Sequence, residues 1–430
     1  MCTRADCRFP TCRGFELAGD ATDVAPADLG ELRDVIGEAL AAEEPLELIA
    51  GATKRGLGRP LQLPRTLDLS RLAGIRDYEP SELVLTAGAA TPLEEIEAAL
   101  APARQMLAFE PPDWAGLFAL PASAARRGTL GGALACNLSG PRRIKAGAAR
   151  DHLLGFRGVS GRGEVFKAGG KVVKNVTGYD LCKLMAGSYG TLAALEEVTV
   201  RVLPQPEAAC TVMLCGLDPA AATQRLNRAL ASPNDISGAV YIPACSTAAL
   251  TSLSGVPGVA ALRLEGPAPS VNSRRQQLLS DLASDCEATS LEEEPSAAFW
   301  RAMRDVTPFT GHADRIIWRI SVAPSRGGEL GEEIARRLDA SWYLDWGGGL
   351  LWVAVSGAED GGAALIRAAI RGTDGRGTGH ATLIKGSLAL RRAVPVFEPQ
   401  PPPLAALAAR VKESFDPQRI LNPGRMVEGG

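Results

Sequence analysis

The 430-residue chain carries 46 basic and 49 acidic residues, for a net charge of −3, and is 46% apolar. That balance excludes an electrostatic case for nucleic acid or an anionic membrane as the main partner, and no apolar run approaches the about 18–20 residues of a transmembrane segment. The length accommodates two or three domains, and the start MCTRADCRFPTCRG lacks the apolar core of a signal peptide, so a cytoplasmic protein is expected.

Residues 1–25 read as a disordered tail. Cys2, Cys7 and Cys12 are evenly spaced there, but no fourth Cys or His stands near them to complete a metal or cluster site. Leu29, Leu32, Val35, Ile36 and Leu40 then recur at helical spacing behind Asp28, a residue suited to an N-cap. LELIAG (46–51) is a short buried strand breaking into the glycine-rich loop AGATKRGLGRP. RTLDLSRLAGI and ELVLTAGAAT (82–91) read as further strands, and PLEEIEAAL (92–100) as an amphipathic helix with Pro92 at its first position. From 111 to 163 the chain is rich in Gly, Pro, Ala and Arg with little periodicity, which predicts a functional loop region. EVFKAGGKVV suggests a hairpin, TGYDLCKLMAG a short helix ending at a glycine, and TLAALEEVTVRVLP a turn entering a strand. Tyr179 reads as a core residue, or as one packed beside a bound ligand.

LPQPE (203–207) marks a domain boundary. Beyond it, TVMLCGL, DRIIWRISVAP (314–324) and GLLWVAVSG (349–357) read as strands, while PAAATQRLNRALA and GELGEEIARRLDA (328–340) read as helices. This predicts an α+β domain over 207–395, with helices on one face of an antiparallel sheet. Residues 396–430 open with the stiff segment PVFEPQPPP (395–403) and continue into a helix with Leu404, Leu407, Val411 and Phe415 on one face, stopped at Asp416-Pro417.

Three glycine-rich segments mark the first half: AGATKRG (50–56), RGTLGGALACNLSG (127–140) and GGKVVKNVTGYDLCKLMAGSYGTL (169–192). Backbone N–H groups without Cβ bulk form anion nests, so such loops point to a phosphate-containing cofactor. A triphosphate loop is excluded, because GGK is followed by Val172 where a hydroxyl residue is required. A dinucleotide fingerprint is excluded too, because RGLGRP runs into proline without its third glycine. What remains is one extended ligand wrapped by three separate loops.

With the order of these motifs in view, the chain resembles the flavoprotein family typified by vanillyl-alcohol oxidase, with its FAD domain of the p-cresol methylhydroxylase type. Within it, the chain is similar to the FAD-binding subunits of bacterial glycolate oxidases. The resemblance rests on PLELIAGATKRGLGRP, LDLSRLAGIRDYEPSELVLTAGAATPLEEIEAALA, FEPP (109–112), GTLGGALACNLSGPRRIKAGAARDHLLG, GGKVVKNVTGYDLCKLMAGSYGTLAALEEVTVRVLP and ESFDPQRILNPGRM. It covers 28–206 closely and 376–427 more loosely. It implies an FAD-binding domain of two α+β subdomains over 26–206, a cap domain over 207–395, and a C-terminal helix packing back on the FAD domain.

Carried over residue by residue, the resemblance assigns Ala50, Gly51, Ala52, Thr53, Lys54, Arg55 and Gly56 to the first pyrophosphate loop. Leu120, Pro121, Ser123, Gly128, Thr129, Gly131 and Gly132 form the second contact, with Asn137 and Ser139 close to the flavin ring and Asp151 at its edge. Gly187, Ser188, Gly190 and Thr191 turn beneath the cofactor, and Leu195 lies near its adenine. The first loop holds no histidine, so non-covalent FAD is expected. The cap also lacks the H-x-G-D-G-N-x-H signature by which catalytic relatives bind a metal. The chain has only His152, His312 and His380, so no metal is expected.

Oxidising a 2-hydroxy acid needs a hydride acceptor, a base and a cation for the carboxylate. His380 is the candidate base, and Arg142 and Arg143, with Lys145 beside them, supply the cation. The resemblance further implies a complex with a homologous flavoprotein subunit and an iron–sulfur subunit, peripheral at the inner face of the membrane, in which either this chain performs the hydride transfer or, given the missing cap histidines, it relays electrons or stabilises the assembly while its flavoprotein partner performs it. A self-sufficient 2-hydroxy-acid dehydrogenase acting on D-lactate-like acids, and a non-catalytic scaffold subunit, are the alternatives.

Overall fold

Helix Leu29–Ala41 starts where Asp28 accepts a hydrogen bond from Glu31 N at 2.9 Å, and it buries Leu32, Val35, Ile36 and Ala39. Each such side chain removed from water contributes roughly 1.5–3 kcal/mol. The computed structural model, which describes residues 22–120, 128–170, 179–247, 255–311, 314–372 and 377–428, lays this helix against a parallel three-stranded sheet in the order Thr22–Val24, Arg65–Asp68, Leu46–Ile49. Residues 22–24 therefore belong to the sheet and not to the expected tail. Cys2, Cys7 and Cys12 lie outside the described residues.

A second subdomain is an antiparallel sheet ordered Ile75–Glu79, Val84–Gly88, Ala193–Arg201, Leu153–Ser160, Val165–Gly169. Its helix Leu93–Leu100 has Pro92 at the cap position, one residue before the helical stretch. The expected loop region 111–163 is more regular than its composition: it contains helices Leu130–Ala135, Arg143–Ala146 and Ala149–His152 and the strand Leu153–Ser160. Periodicity missed the first helix because it is short and buried on most of its circumference. The strand was hidden by Gly155 and Gly158, which the fold needs: a Cβ on Gly155 would come within 2.9 Å of the Gly170 backbone. Val165–Gly169 pairs with Leu153–Ser160, and the KVV half of the expected hairpin lies outside the described residues.

The second domain is an eight-stranded antiparallel sheet, ordered Glu287–Glu292, Ala208–Cys215, Val259–Gly266, Gly238–Ile242, Ala340–Asp345, Leu350–Val355, Ile316–Val322, Gly379–Lys385. Helices Pro219–Leu230, Ala268–Leu282, Gly327–Arg337 and Ala363–Arg371 cover one face. The other face packs on Leu57, Trp114, Leu117 and Leu138 of the first domain, together with a fifth helix, Glu293–Arg304, that the one-face expectation did not include.

A buried ion network bolts the two domains together. Arg263 on the cap sheet donates to both oxygens of Glu110 at 2.8 and 3.2 Å, and Arg142 binds Glu265 at 2.7 and 3.0 Å and Glu110 at 3.0 Å. The C-terminal helix Pro402–Phe415 rests only its far end, Val411 and Phe415, on the first domain; Leu404 and Leu407 are 52% and 48% exposed. Tyr179, expected in the core, is 92% exposed. No described helix is long and apolar enough to cross a membrane.

Candidate functional site

Strand Leu46–Ile49 delivers the chain into residues 50–56, where Ala52 adopts a left-handed φ of +53°. The backbone bonds of this loop run from Arg55 N to Ala52 O and from Leu57 N to Lys54 O. The N–H groups of Gly51, Ala52 and Thr53 make no hydrogen bond among the described residues. Three adjacent unspent donors beside a cavity form an anion nest. Below the loop, the half-exposed Arg55 is held by Glu47, its Nε donating to Oε1 at 3.0 Å.

Opposite stands the turn at Gly128 (φ +90°), followed by Thr129, whose hydroxyl caps helix Leu130–Ala135 by accepting from Gly132 N at 3.2 Å. A Cβ on Gly128 would strike Lys54 Nζ and Thr53 Oγ1, so the two loops touch. Gly131 is pressed onto the neighbouring strand: its N–H donates to Ala89 O at 2.7 Å, and a Cβ would lie 2.6 Å from that oxygen. Gly132 instead faces the cavity, its nearest side-chain neighbour being Thr129 Oγ1 at 3.1 Å from a Cβ. Adjacent glycines are thus required for different reasons, one for packing and one for open space.

The third wall is the turn 187–191, where Gly187, Tyr189 and Gly190 all have positive φ and Thr191 Oγ1 donates to Ser188 O at 2.7 Å. The C-terminal segment closes the fourth side. Asn422 Oδ1 accepts from Leu48 N at 2.9 Å while its Nδ2 donates to Tyr189 O at 2.9 Å, so one amide ties the first loop to the third. The segment is held in turn by Asp416, which is fully buried and accepts from Ile420 N and Leu421 N at 2.8 Å, and by Lys412, which donates to Thr191 O at 2.7 Å.

These walls enclose a cleft of about 830 Å³. Of the residues expected at the cofactor, Ala50, Gly51, Ala52, Thr53, Lys54, Arg55, Thr129, Gly131, Gly132, Gly190 and Leu195 line it. Gly56, Leu120, Gly128, Gly187, Ser188 and Thr191 do not; all but Leu120 shape the backbone of the lining turns. Asn137 and Ser139 are spent elsewhere, accepting from Arg150 N at 3.1 Å and Ala149 N at 2.9 Å, and Asp151 accepts from Ala148 N at 3.0 Å. Pro121, Ser123 and His312 lie outside the described residues. Cys136, Tyr189, Asn422 and Arg425 line the cleft without having been singled out. The last two sit in LNPGRM, a quoted motif to which no contact was assigned.

At the Tyr189 end the cleft meets the cap. The indole of Trp346 donates to Gly140 O at 3.2 Å across the domain boundary and carries two guanidinium groups: Arg143 at 4.1 Å and Arg319 at 4.9 Å from its centroid. Burial lowers the pKa of Arg319 to about 10. Beside it, burial lifts the Asp345 carboxyl to about 7, although Trp346 N donates to it at 2.6 Å. His380 stands opposite Ser321 in the strand pairing, one step from Arg319. Its ring reaches solvent, but crowding by the protein, then the charges of Arg319 and Arg143, hold its pKa below the ordinary imidazole value.

The structure therefore brings His380 and Arg143 together and corrects the expectation for Arg142. The guanidinium of Arg142 is buried between Glu110 and Glu265 and serves the domain contact. His152 is likewise structural, its ring nitrogens 2.9 and 3.3 Å from the Ala146 and Arg201 carbonyls.

Residues 21–169 match a family described as FAD binding domain, and 397–426 match the C-terminal domain of FAD linked oxidases. Glycolate oxidase subunit GlcE of Escherichia coli is 34% identical over 92% of this chain and 96% of its own length. Glycolate oxidase subunit GlcD of Bacillus subtilis is 36% identical over 32% of this chain and 26% of its own. Among solved structures, 4-ethylphenol oxidase from Gulosibacter chungangensis (TM-score 0.70, 13% identity, 96% and 91% of the two chains) and p-cresol methylhydroxylase (0.67, 13%, 94% and 88%) share the fold.

Proposed function

We propose that this chain, which belongs to the family of FAD-binding glycolate oxidase subunits within the vanillyl-alcohol oxidase and p-cresol methylhydroxylase type flavoproteins, oxidises glycolate to glyoxylate as one subunit of a complex. A homologous flavoprotein subunit and an iron–sulfur subunit complete that complex, carrying electrons onward at the inner face of the membrane. The observation that carries the reading is that His380 of the cap and Arg143 of the FAD domain feel each other's charge, and both feel that of Arg319, whose charge also acts on Tyr189 in the cleft lining. FAD is the cofactor of this family. The residues present fit it: the unspent N–H groups of Gly51, Ala52 and Thr53 and the side chain of Lys54 belong to the same cleft lining as Gly132. FAD is held without a covalent bond, since neither the first loop nor the described cleft lining offers a histidine.

When bound, FAD supplies the acceptor for the hydride leaving C2 of the acid. His380, neutral at pH 7 because its pKa is lowered, accepts the hydroxyl proton as the C–O bond becomes a carbonyl. Arg143, whose guanidinium lies over the Trp346 ring, pairs with the carboxylate. The backbone of 50–56 and 128–132 holds the pyrophosphate.

The test is the visible spectrum of the purified chain, first alone and then with glycolate under anaerobic conditions, repeated with the partner subunits present. A yellow protein whose flavin bleaches is expected. A colourless protein that takes up no FAD, or a flavin that stays oxidised even in the complex, sinks the reading. His380→Ala should slow bleaching by about 10²–10⁴-fold. In the wild type, the rate should rise with pH through a pKa below the ordinary about 6.5 of histidine and be flat from neutrality upward. Acid precipitation should release all the flavin to the supernatant.

A further inference from the structure

Two neighbouring arginines of one loop have opposite environments. Arg142 is enclosed by two carboxylates, whereas Arg143 makes no ion pair or side-chain hydrogen bond among the described residues and lies on the Trp346 ring. A second guanidinium, that of Arg319, lies on the same ring and is likewise without an ion pair or hydrogen bond among them. The two centres lie 4.1 and 4.9 Å from one centroid, so they stand at most 9.0 Å apart. Arg319 is directed to this place by register. It lies opposite Trp352 on one side and Thr382 on the other, and two residues from Ile317, which packs on the face turned toward the FAD domain.

Two like charges this close repel one another: the charge of Arg143, which is exposed, adds to burial in lowering the pKa of Arg319. Both guanidinium groups sit over the Trp346 ring without a hydrogen-bonding partner among the described residues, so their N–H donors are available to a planar anion. Asp345 acts on Arg319 and Asp151 on Arg143, but Asp345 accepts from Trp346 N and burial lifts its pKa to about 7, while Asp151 accepts from Ala148 N.

We propose that Arg319 and Arg143, mounted on Trp346, form the receptor for the carboxylate of a 2-hydroxy or 2-oxo acid. Arg319 is its principal anchor, because it comes from the same sheet edge as His380. The inference rests on the reading of this chain as an acid-oxidising flavoprotein. A carboxylate held between the two cations turns their repulsion into two charge-assisted pairs and sets the adjoining hydroxyl toward His380. It also makes the receptor a joint product of both domains, so it exists only when the cap is seated.

The probe is oxalate, a planar acid with no hydride to give, titrated into the FAD-loaded protein and followed by the flavin spectrum and by calorimetry. Arg319→Ala and Arg143→Ala should each weaken oxalate binding at least tenfold at unchanged flavin content, and Arg319→Lys, which keeps the charge, should recover part of it. Oxalate affinity in flavin-replete Arg319→Ala within twofold of wild type overturns the proposal, as does absence of oxalate binding to the wild type. If Arg319→Ala fails to hold FAD, Arg319→Lys and Arg143→Ala decide: unchanged affinity in both is fatal. A shifted flavin midpoint potential in Arg319→Ala with unchanged oxalate binding also refutes it and assigns the cation to the cofactor. Arg319-dependent oxalate binding supports the receptor whether or not glycolate bleaches the flavin, so failure of the catalytic reading is seen separately.

Discussion

On the FAD side, the site is made largely of backbone: left-handed turns, unspent N–H groups, and glycines placed where a Cβ would fill a cleft or strike a neighbouring strand. On the cap side the proposed site is made of side chains: Arg319 and His380, 61 positions apart in sequence and brought together by strand pairing, and Trp346 beneath Arg319. A backbone site depends on residue types that tolerate one conformation. A side-chain site depends on register and on which charges are left unneutralised. The two walls should therefore fail in different ways.

The largest effects belong to the backbone wall. Gly190→Val, at φ +69° with Asn422 Nδ2 only 2.8 Å from the new Cβ, should abolish flavin binding. Gly132→Val should fold and still lose FAD, because its side chain projects toward the cleft. Gly131→Val should lose both, because it strikes the Ala89 carbonyl. Flavin-to-protein ratios and thermal melts separate the three, and a flavin-replete Gly132→Val would erase the distinction. Next comes the bolt between the walls. Glu110→Ala leaves Arg263 and Arg142 short of a carboxylate and should cost about 3–5 kcal/mol in denaturant unfolding. The same bolt makes stability acid-sensitive. Burial alone would raise the Glu265 carboxyl, but Arg263 and Arg142 outweigh it and bring its pKa to about 2. Its stabilisation is thus complete above the unfolded value of about 4.3 and is lost as pH falls toward 2. Smaller is Asn422→Ala, which removes two hydrogen bonds of about 0.5–1.5 kcal/mol each and should weaken FAD binding about tenfold without unfolding the chain. Smallest are Tyr179→Ser and Leu404→Ser on exposed surface, expected within about 0.5 kcal/mol of wild type.

The same contrast decides what was legible in the sequence. The loops 50–56, 128–132 and 187–191 could be read because glycines clustered there in the order in which one extended ligand would meet them. Helix Leu29–Ala41 could be read because its apolar residues all face one way. Helix Leu130–Ala135 and strand Leu153–Ser160 could not, because burial on several sides erases periodicity and close strand packing demands glycine. Arg142 and Arg143 are indistinguishable as letters; only the carboxylates of Glu110 and Glu265, far away in the chain, separate a structural cation from an available one. Arg319 in IIWRISV reads as an ordinary strand residue until the register shows which face it shares.

The Asn422 amide has a consequence for the order in which this protein is made. It bridges Leu48 and Tyr189, and the hydrogen bond to Leu48 spans 374 residues. Most of the first domain can collapse as it leaves the ribosome, but the flavin cradle lacks its fourth side until residue 425 has been synthesised. Contacts so distant in sequence form late. Flavin capture is therefore a closing event of biosynthesis, and a nascent chain stalled within the cap domain would emerge folded in part but without its colour.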